Sequence, residues 1–388
     1  MKVVAAFNAF KGSVGAVQAC RCVSRAARTL RRRIAGGLLV VECPMADGGD
    51  GTAEVLRRAL GGTWRRARVT GPLGEMREAR YVWCPARRLA VVEMAQASGI
   101  ALIEPRQRHP FATTTFGAGE LVVAAVKAGA RRIVLGVGGS ATVDAGAGAL
   151  QALGCRFFRA DGSEICEPLT GLTIAECVRA ECDAARRLLR GVTIEVLCDV
   201  RNPMHGPCGA ARAFAPQKGA TPADVEVLAC NLRSFMRLAP GGQGARVAAE
   251  PGAGAAGGLG AGLAAFVGAR LVEGAPRVAE LTGLRRALRG ADFVVTGEGA
   301  FDAQSFMGKA PGEVLRIARE MGVPSAVLAG RVAVSRSTWR RRGCVIARSI
   351  VPHGMNEAEA MERGAELVEV AARQLLRDLT ALSRSSSR

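Results

Sequence analysis

Apolar runs alternate with amphipathic stretches at both ends of the chain. Near the N-terminus the pattern predicts a strand over 2–7, a helix over 13–33, a strand over 38–43 and a helix from about 52. Near the C-terminus it predicts strands over 292–296, 325–329 and 343–350, with helices over 311–321 and from about 356. Short β-rich runs interleaved with helices argue for an α/β fold with a doubly wound parallel sheet to which both ends contribute. The middle differs. From Thr63 to Ile100 three polar–apolar runs are cut by Gly-Pro and Cys-Pro-Ala turns, which suits antiparallel strands, and apolar strands over 131–137 and 193–198 follow. The expected organisation is a discontinuous Rossmann-like domain, 1–66 and 287–382, interrupted by an inserted α/β domain over 67–286. Residues 383–388, "SRSSSR", are expected to fray. At 388 residues the chain exceeds what one core supports, in keeping with two domains.

A formal net charge of +19 raises nucleic acid as a partner. Against it, aromatics are 4% of the chain and the arginines are scattered, as in the triplets at 31–33 and 340–342. A solvated, arginine-biased surface is the expectation, with no nucleic-acid partner. The uncharged stretch 251–269 approaches the length of a membrane span, but seven of its residues are glycine, so it reads as a buried turn and helix. The N-terminal apolar run is too short for a signal-peptide core, so a cytoplasmic protein is expected. Twelve cysteines without a CxxC pair, beside three histidines, form no zinc spacing and are expected to be reduced and mostly buried.

The arginine bias acts as a filter. Of 53 basic residues only five are lysines, and three of these adjoin glycine: Lys11 in "AFKGS", Lys218 in "PQKGA" and Lys309 in "MGKAP". A compact ammonium reaches a phosphate oxygen where a planar guanidinium does not fit, so these lysines are candidate phosphate contacts. Of ten aspartates, five lie in small-residue turns after predicted strands: Asp47, Asp50, Asp144, Asp199 and Asp302. With hydroxyls at Ser13, Ser140 and Thr142, they suit phosphoryl transfer, which needs cations, carboxylates for Mg²⁺ and a carboxylate near the attacking hydroxyl. In "LGVGGSATVDAGAGALQALG", 135–154, a strand breaks at Gly138, Gly139 and Ser140 and resumes as a helix, so an anion is expected against that backbone. "GVGGSA" and "GAGAAG" also fit dinucleotide patterns, leaving a nicotinamide-dependent oxidoreductase as an alternative.

The motifs "FKGS", "PMADGGDGT", "TTTFGAGEL", "LGVGGSAT", "CDVRNP", "PQKGAT", "GAGAAGGLGAG", "TGEGAFDAQSFMGKAP" and "SIVP" follow in this order across the chain, which thereby resembles the type I glycerate kinase family. The resemblance implies ATP- and Mg²⁺-dependent phosphorylation of D-glycerate in a cleft between two domains. It also implies small-molecule partners only, with a homodimer left open. By position it assigns Lys11 and Lys309 to phosphate oxygens, Asp199 or Glu298 to magnesium, and Asp302 or Asp47 to the glycerate hydroxyl. It places Ser13, Asp50, Gly138, Gly139, Ser140, Thr142, Asp144, Asn202, Lys218, Gly257 and Gly258 around substrate and phosphate. Asn8 and Ala9 depart from an acid and a hydroxyl in the family pattern, Val143 from Asn, Ala145 from Gly, Arg201 from an acid and Ala300 from Arg. A weakened or binding-only relative, acting on another small hydroxy acid, is therefore the other reading.

Overall fold

The computed structural model describes residues 1–30 and 37–386, so the arginine triplet 31–33 and the end of the expected frayed tail lie outside the described residues. The chain divides into two compact units, Met1–Asp47 with Glu54–Leu60 and Ala275–Arg388, and Gly48–Ala53 with Gly61–Gly274.

The first unit is built on strands β1 (Lys2–Phe7), β2 (Leu39–Glu42), β11 (Phe293–Gly297), β13 (Ser325–Ala329) and β15 (Cys344–Ser349). They form one sheet in the order β15-β13-β11-β1-β2, parallel throughout. Every residue of β11 and β13 is buried, as expected of strands covered on both faces. The helix Ala16–Leu30 packs Cys20, Val23 and Ala27 into a core with Phe7, Leu375 and Leu376. Because the strands are parallel, the residues that follow β1, β11 and β13 emerge at one edge, where an open α/β sheet binds ligands. The short pair β12 (Ala300–Phe301) and β14 (Arg331–Val332) lies just beyond that edge. Residues 383–386 continue the last helix, Gly364–Ser386, instead of fraying.

The second unit holds a six-stranded sheet of β3 (Thr63–Thr70), β4 (Met76–Cys84), β5 (Leu89–Glu93), β6 (Arg132–Gly136), β9 (Thr193–Cys198) and β10 (Arg270–Glu273). Its order is β10-β9-β6-β5-β4-β3, antiparallel at β3/β4 and β4/β5 and parallel from β5 onward. A separate ribbon pairs β7 (Arg156–Phe158) with β8 (Arg179–Glu181). This unit starts at Gly61, not 67, because β3 pairs with β4 from Thr63 onward. It ends at Gly274, not 286, because the helix Leu284–Leu288 packs against β1. The uncharged stretch forms a turn and the buried helix Leu259–Val267, and no described helix is long and apolar enough to cross a membrane. Cys155 and Cys182 are joined in a disulfide, contrary to the expectation of reduced thiols throughout. They sit 4.2 Å apart at Cα, beside the start of β7 and the end of β8. The other ten cysteines are free and seven of them are buried.

Candidate active site

At the carboxyl edge of the first unit's sheet, β11 ends at Gly297 and Glu298 follows, with only 6% of its surface exposed. Its Oε1 accepts a hydrogen bond from Ser305 Oγ at 2.5 Å. Ser305 is held in turn by a reciprocal cap in which Asp302 Oδ1 accepts from the backbone N–H groups of Gln304 and Ser305 (2.8 and 3.3 Å) while Ser305 Oγ accepts from Asp302 N–H. Burial drives the Glu298 carboxyl up to about 7; the Ser305 hydrogen bond and the Lys309 ammonium oppose the rise, and the charges of Asp47 and Asp302 add to it. A carboxyl poised near neutrality among two other carboxylates and a lysine is suited to proton transfer or to a divalent cation. Lys309 is the residue just before the helix Ala310–Glu320, Lys11 is exposed beyond β1, and Asp47 accepts from Asn8 Nδ2 at 3.0 Å. Ser13, expected around substrate and phosphate, donates its hydroxyl to the Met361 carbonyl at 2.5 Å and borders the same cavity as Lys11.

In the second unit the glycine loop after β6 has a different neighbour from the one expected. Gly138 N–H bonds to Gly48 O at 3.1 Å, and a Cβ on Gly138 would lie 2.4 Å from Gly49 Cα. A Cβ on Gly139 would lie 2.7 Å from Asp50 Oδ1, and Gly139 has φ +72. Glycine is therefore favoured at 138 because the backbone of residues 48–49 packs there and at 139 because of its positive φ, and the exposed Asp50 carboxylate over Gly139 disfavours an anion. The helix, too, begins later than expected, spanning Ala147–Ala152, and an anion already sits at its start. Asp144 is fully buried; its carboxylate accepts from Thr115 N–H (2.9 Å), Thr115 Oγ (2.6 Å), Gly146 N–H (3.1 Å) and Gly148 N–H (3.4 Å). Burial raises its carboxyl above the ordinary range while those donors hold it down. Asp144 thus anchors the backbone at Thr115, Gly146 and Gly148.

Lys218 is likewise redirected. It is 2% exposed, and Nζ donates to Ser140 Oγ at 2.7 Å and to the Thr142 carbonyl at 2.8 Å, so it holds the loop in place. Burial lowers its ammonium to about 7, partly offset by the charge of Asp144. Thr142 Oγ1 is buried and finds no hydrogen-bond partner among the described residues. Gly257 and Gly258 pack against the same segment: Ala145 N–H bonds to Gly257 O, and a Cβ on Gly257 would lie 2.2 Å from Thr142 O. Asn202 Nδ2 donates to the Cys208 carbonyl at 2.8 Å, closing a turn. These three are explained by packing. Of the two expected magnesium ligands, Asp199 follows β9 in the second unit and Glu298 follows β11 in the first. Among the described residues no three acidic, His or Cys side chains converge on a metal position.

Sequence reasoning missed Ser305, Thr115 and Glu93. Ser305 stands three residues after Asp302, the spacing of a cap, and Thr115 lies within the quoted "TTTFGAGEL". Glu93, 8% exposed at the end of β5, accepts from Ala53 N–H at 2.8 Å, and burial, reinforced by Asp50, raises its carboxyl. Neither dinucleotide pattern sits in its required setting, since "GVGGSA" opens no helix at its glycines and "GAGAAG" follows the helix Gln243–Ala248.

Parallel sheets with carboxylates and a lysine at their carboxyl edge accord with what comparison with known proteins shows. The model of the glycerate kinase family matches residues 3–380. A glycerate kinase of Halalkalibacterium halodurans is 40% identical over 96% of this chain and 97% of its own length. A glycerate 2-kinase of Escherichia coli is 38% identical over 85% of each. A crystal structure from Salmonella typhimurium LT2, assigned as glycerate kinase 2, superposes with a TM-score of 0.84 at 35% identity over 99% of both chains. The protein is thus an α/β phosphotransferase, an enzyme that takes a nucleotide as one substrate. Within that class, the chain belongs to the glycerate kinase family.

Proposed function

We propose that the chain transfers the γ-phosphoryl group of ATP to a hydroxyl of D-glycerate in the presence of Mg²⁺. The observation that carries this reading is the buried Glu298 carboxyl, set among Asp47, Asp302 and Lys309 at the carboxyl edge of the first unit's parallel sheet. In the reaction the bond from the glycerate hydroxyl oxygen to the γ-phosphorus forms, the bond from that phosphorus to ADP breaks, and the hydroxyl proton leaves to a carboxylate. Asp47, its orientation fixed by Asn8, orients the hydroxyl and takes that proton. Lys11 and Lys309 supply positive charge to the phosphate oxygens. Magnesium is bound by few protein ligands and keeps waters and substrate phosphates, so the lack of a three-residue cage among the described residues is compatible with it. Glu298 and Asp302 are the carboxylates that would hold it, and its charge would offset that of the transferred group.

The test is ADP release measured with D-glycerate and Mg²⁺, with each omitted in turn, and after chelation. Release that needs both supports the reading. Release that persists without divalent metal refutes its metal-dependent chemistry, and binding of ATP without turnover favours the binding-only relative.

A further inference from the structure

A cavity of about 700 Å³ opens at the carboxyl edge of the first unit's sheet. It lies at the ends of four parallel strands, bordered by Phe10–Lys11 after β1, Gly299 after β11, Gly330 after β13 and Ile350 after β15. We infer that this cavity binds the nucleoside half of the phosphoryl donor, a nucleoside triphosphate, with the phosphates directed toward Lys11. The inference rests on the kinase reading given above and adds where the nucleotide sits.

Size selects the occupant first. Sites that enclose a whole organic ligand measure roughly 300–1,000 Å³, and a three-carbon acid would leave most of this cavity unfilled. Shape agrees. The floor is made of Gly299 and Gly330, whose backbones approach so closely that a Cβ on Gly330 would lie 2.5 Å from Gly299 O. A Cβ on Gly299 would meet nothing nearer than Lys11 N at 3.8 Å, so the floor is left clear of side chains. One wall is the short helix Glu357–Glu362, which buries none of its own residues, yet Ala360 and Met361 on it line the cavity. Met361 is 40% exposed, an apolar surface that a flat base would cover. Charge gives the orientation. Lys11 borders the cavity beside Gly299, the residue next to Glu298, so a triphosphate leaving the cavity past Lys11 runs toward the carboxylates assigned to catalysis. Arg331 provides a second cation at the rim, and Glu357 an acceptor for ribose hydroxyls.

The experiment fills the cavity from its exposed wall. Ala360→Trp places an indole in the space assigned to the base, and Ala358→Trp, exposed on the same helix and outside the cavity lining, is the control. ADP binding is followed by isothermal titration calorimetry, which needs no turnover, beside KM for ATP and for D-glycerate. Ala360→Trp is expected to weaken ADP binding and raise KM for ATP by about tenfold or more, the equivalent of about 1.4 kcal/mol, with KM for D-glycerate unchanged. Ala358→Trp is expected to alter none of these. Met361→Trp gives the same readout should Ala360→Trp fail to fold. An unchanged ADP affinity in a folded Ala360→Trp protein overturns the inference, even where D-glycerate is still phosphorylated. ADP binding that Ala360→Trp weakens supports the site, even where D-glycerate is not the acceptor.

Discussion

Replacing Asp144 by alanine separates an anchoring role from a ligand role. The carboxylate accepts three backbone N–H bonds and the Thr115 hydroxyl, all in a fully buried setting. The hydroxyl can turn elsewhere, but the amides of Thr115, Gly146 and Gly148 are left without an acceptor. At about 1–3 kcal/mol for each unsatisfied buried donor, and allowing for partial relaxation, the loss is roughly 3–6 kcal/mol. For a domain of this size each kcal/mol shifts the melting temperature by about 2–4 °C, so Asp144→Ala is expected to melt about 6–24 °C lower. Asp144→Asn keeps one acceptor oxygen and turns the other into a donor that faces N–H groups, so it is expected to fall between alanine and wild type. The assay is thermal unfolding by circular dichroism, beside kcat and KM at a temperature where each variant is folded. A melting temperature within about 2 °C of wild type, together with lost activity, would refute the anchoring role and return Asp144 to the substrate.

Lys218→Arg is expected to cost about 1–3 kcal/mol of stability, because the larger guanidinium must fit a buried site closed by Ser140 and Thr142, and thermal unfolding checks it. Since Lys218 holds its proton only below about 7 in the folded state, the unfolded chain binds more protons between about 7 and the ordinary lysine value. Wild type should therefore gain stability relative to Lys218→Met as pH rises through that window, as read by denaturant unfolding. The activity of wild type is expected to rise with pH through about 7 as Glu298 ionises; Ser305→Ala removes a donor that favours the charged form and should move that limb of the kcat/KM profile to higher pH. An unmoved limb would show that another group titrates. Ala145→Gly is expected to stabilise by about 0.5–1 kcal/mol, because Ala145 adopts φ +53, a left-handed conformation that glycine takes without strain.

The parallel sheet of the first unit was legible because runs such as "VVAAF" and "FVVTG" are apolar throughout, the mark of strands covered on both faces. The β3/β4 hairpin was legible from its turn residues. The glycine loop was misread because glycine reports a close approach without naming what approaches, and at Gly138 that is the backbone of Gly49. The same limit applies to aspartate, since a cap and a ligand share the same sequence setting: Asp144 accepts from the backbone N–H of Gly146, whereas Asp47 and Asp302 lie near enough to Glu298 to raise its carboxyl. The lysine filter singled out Lys218, which the fold buries. Burial then decided that its partners are Ser140 and Thr142. The familial glycine replaced by Ala145 also has a local cause, the positive φ retained there.

The most direct test of the central claim is phosphorus nuclear magnetic resonance of the purified protein with ATP, Mg²⁺ and D-glycerate. Equal growth of ADP and of a phosphomonoester resonance split by the glycerate protons is expected, with loss of both in Glu298→Gln. ATP that stays intact, or that yields only inorganic phosphate, would contradict phosphoryl transfer to glycerate.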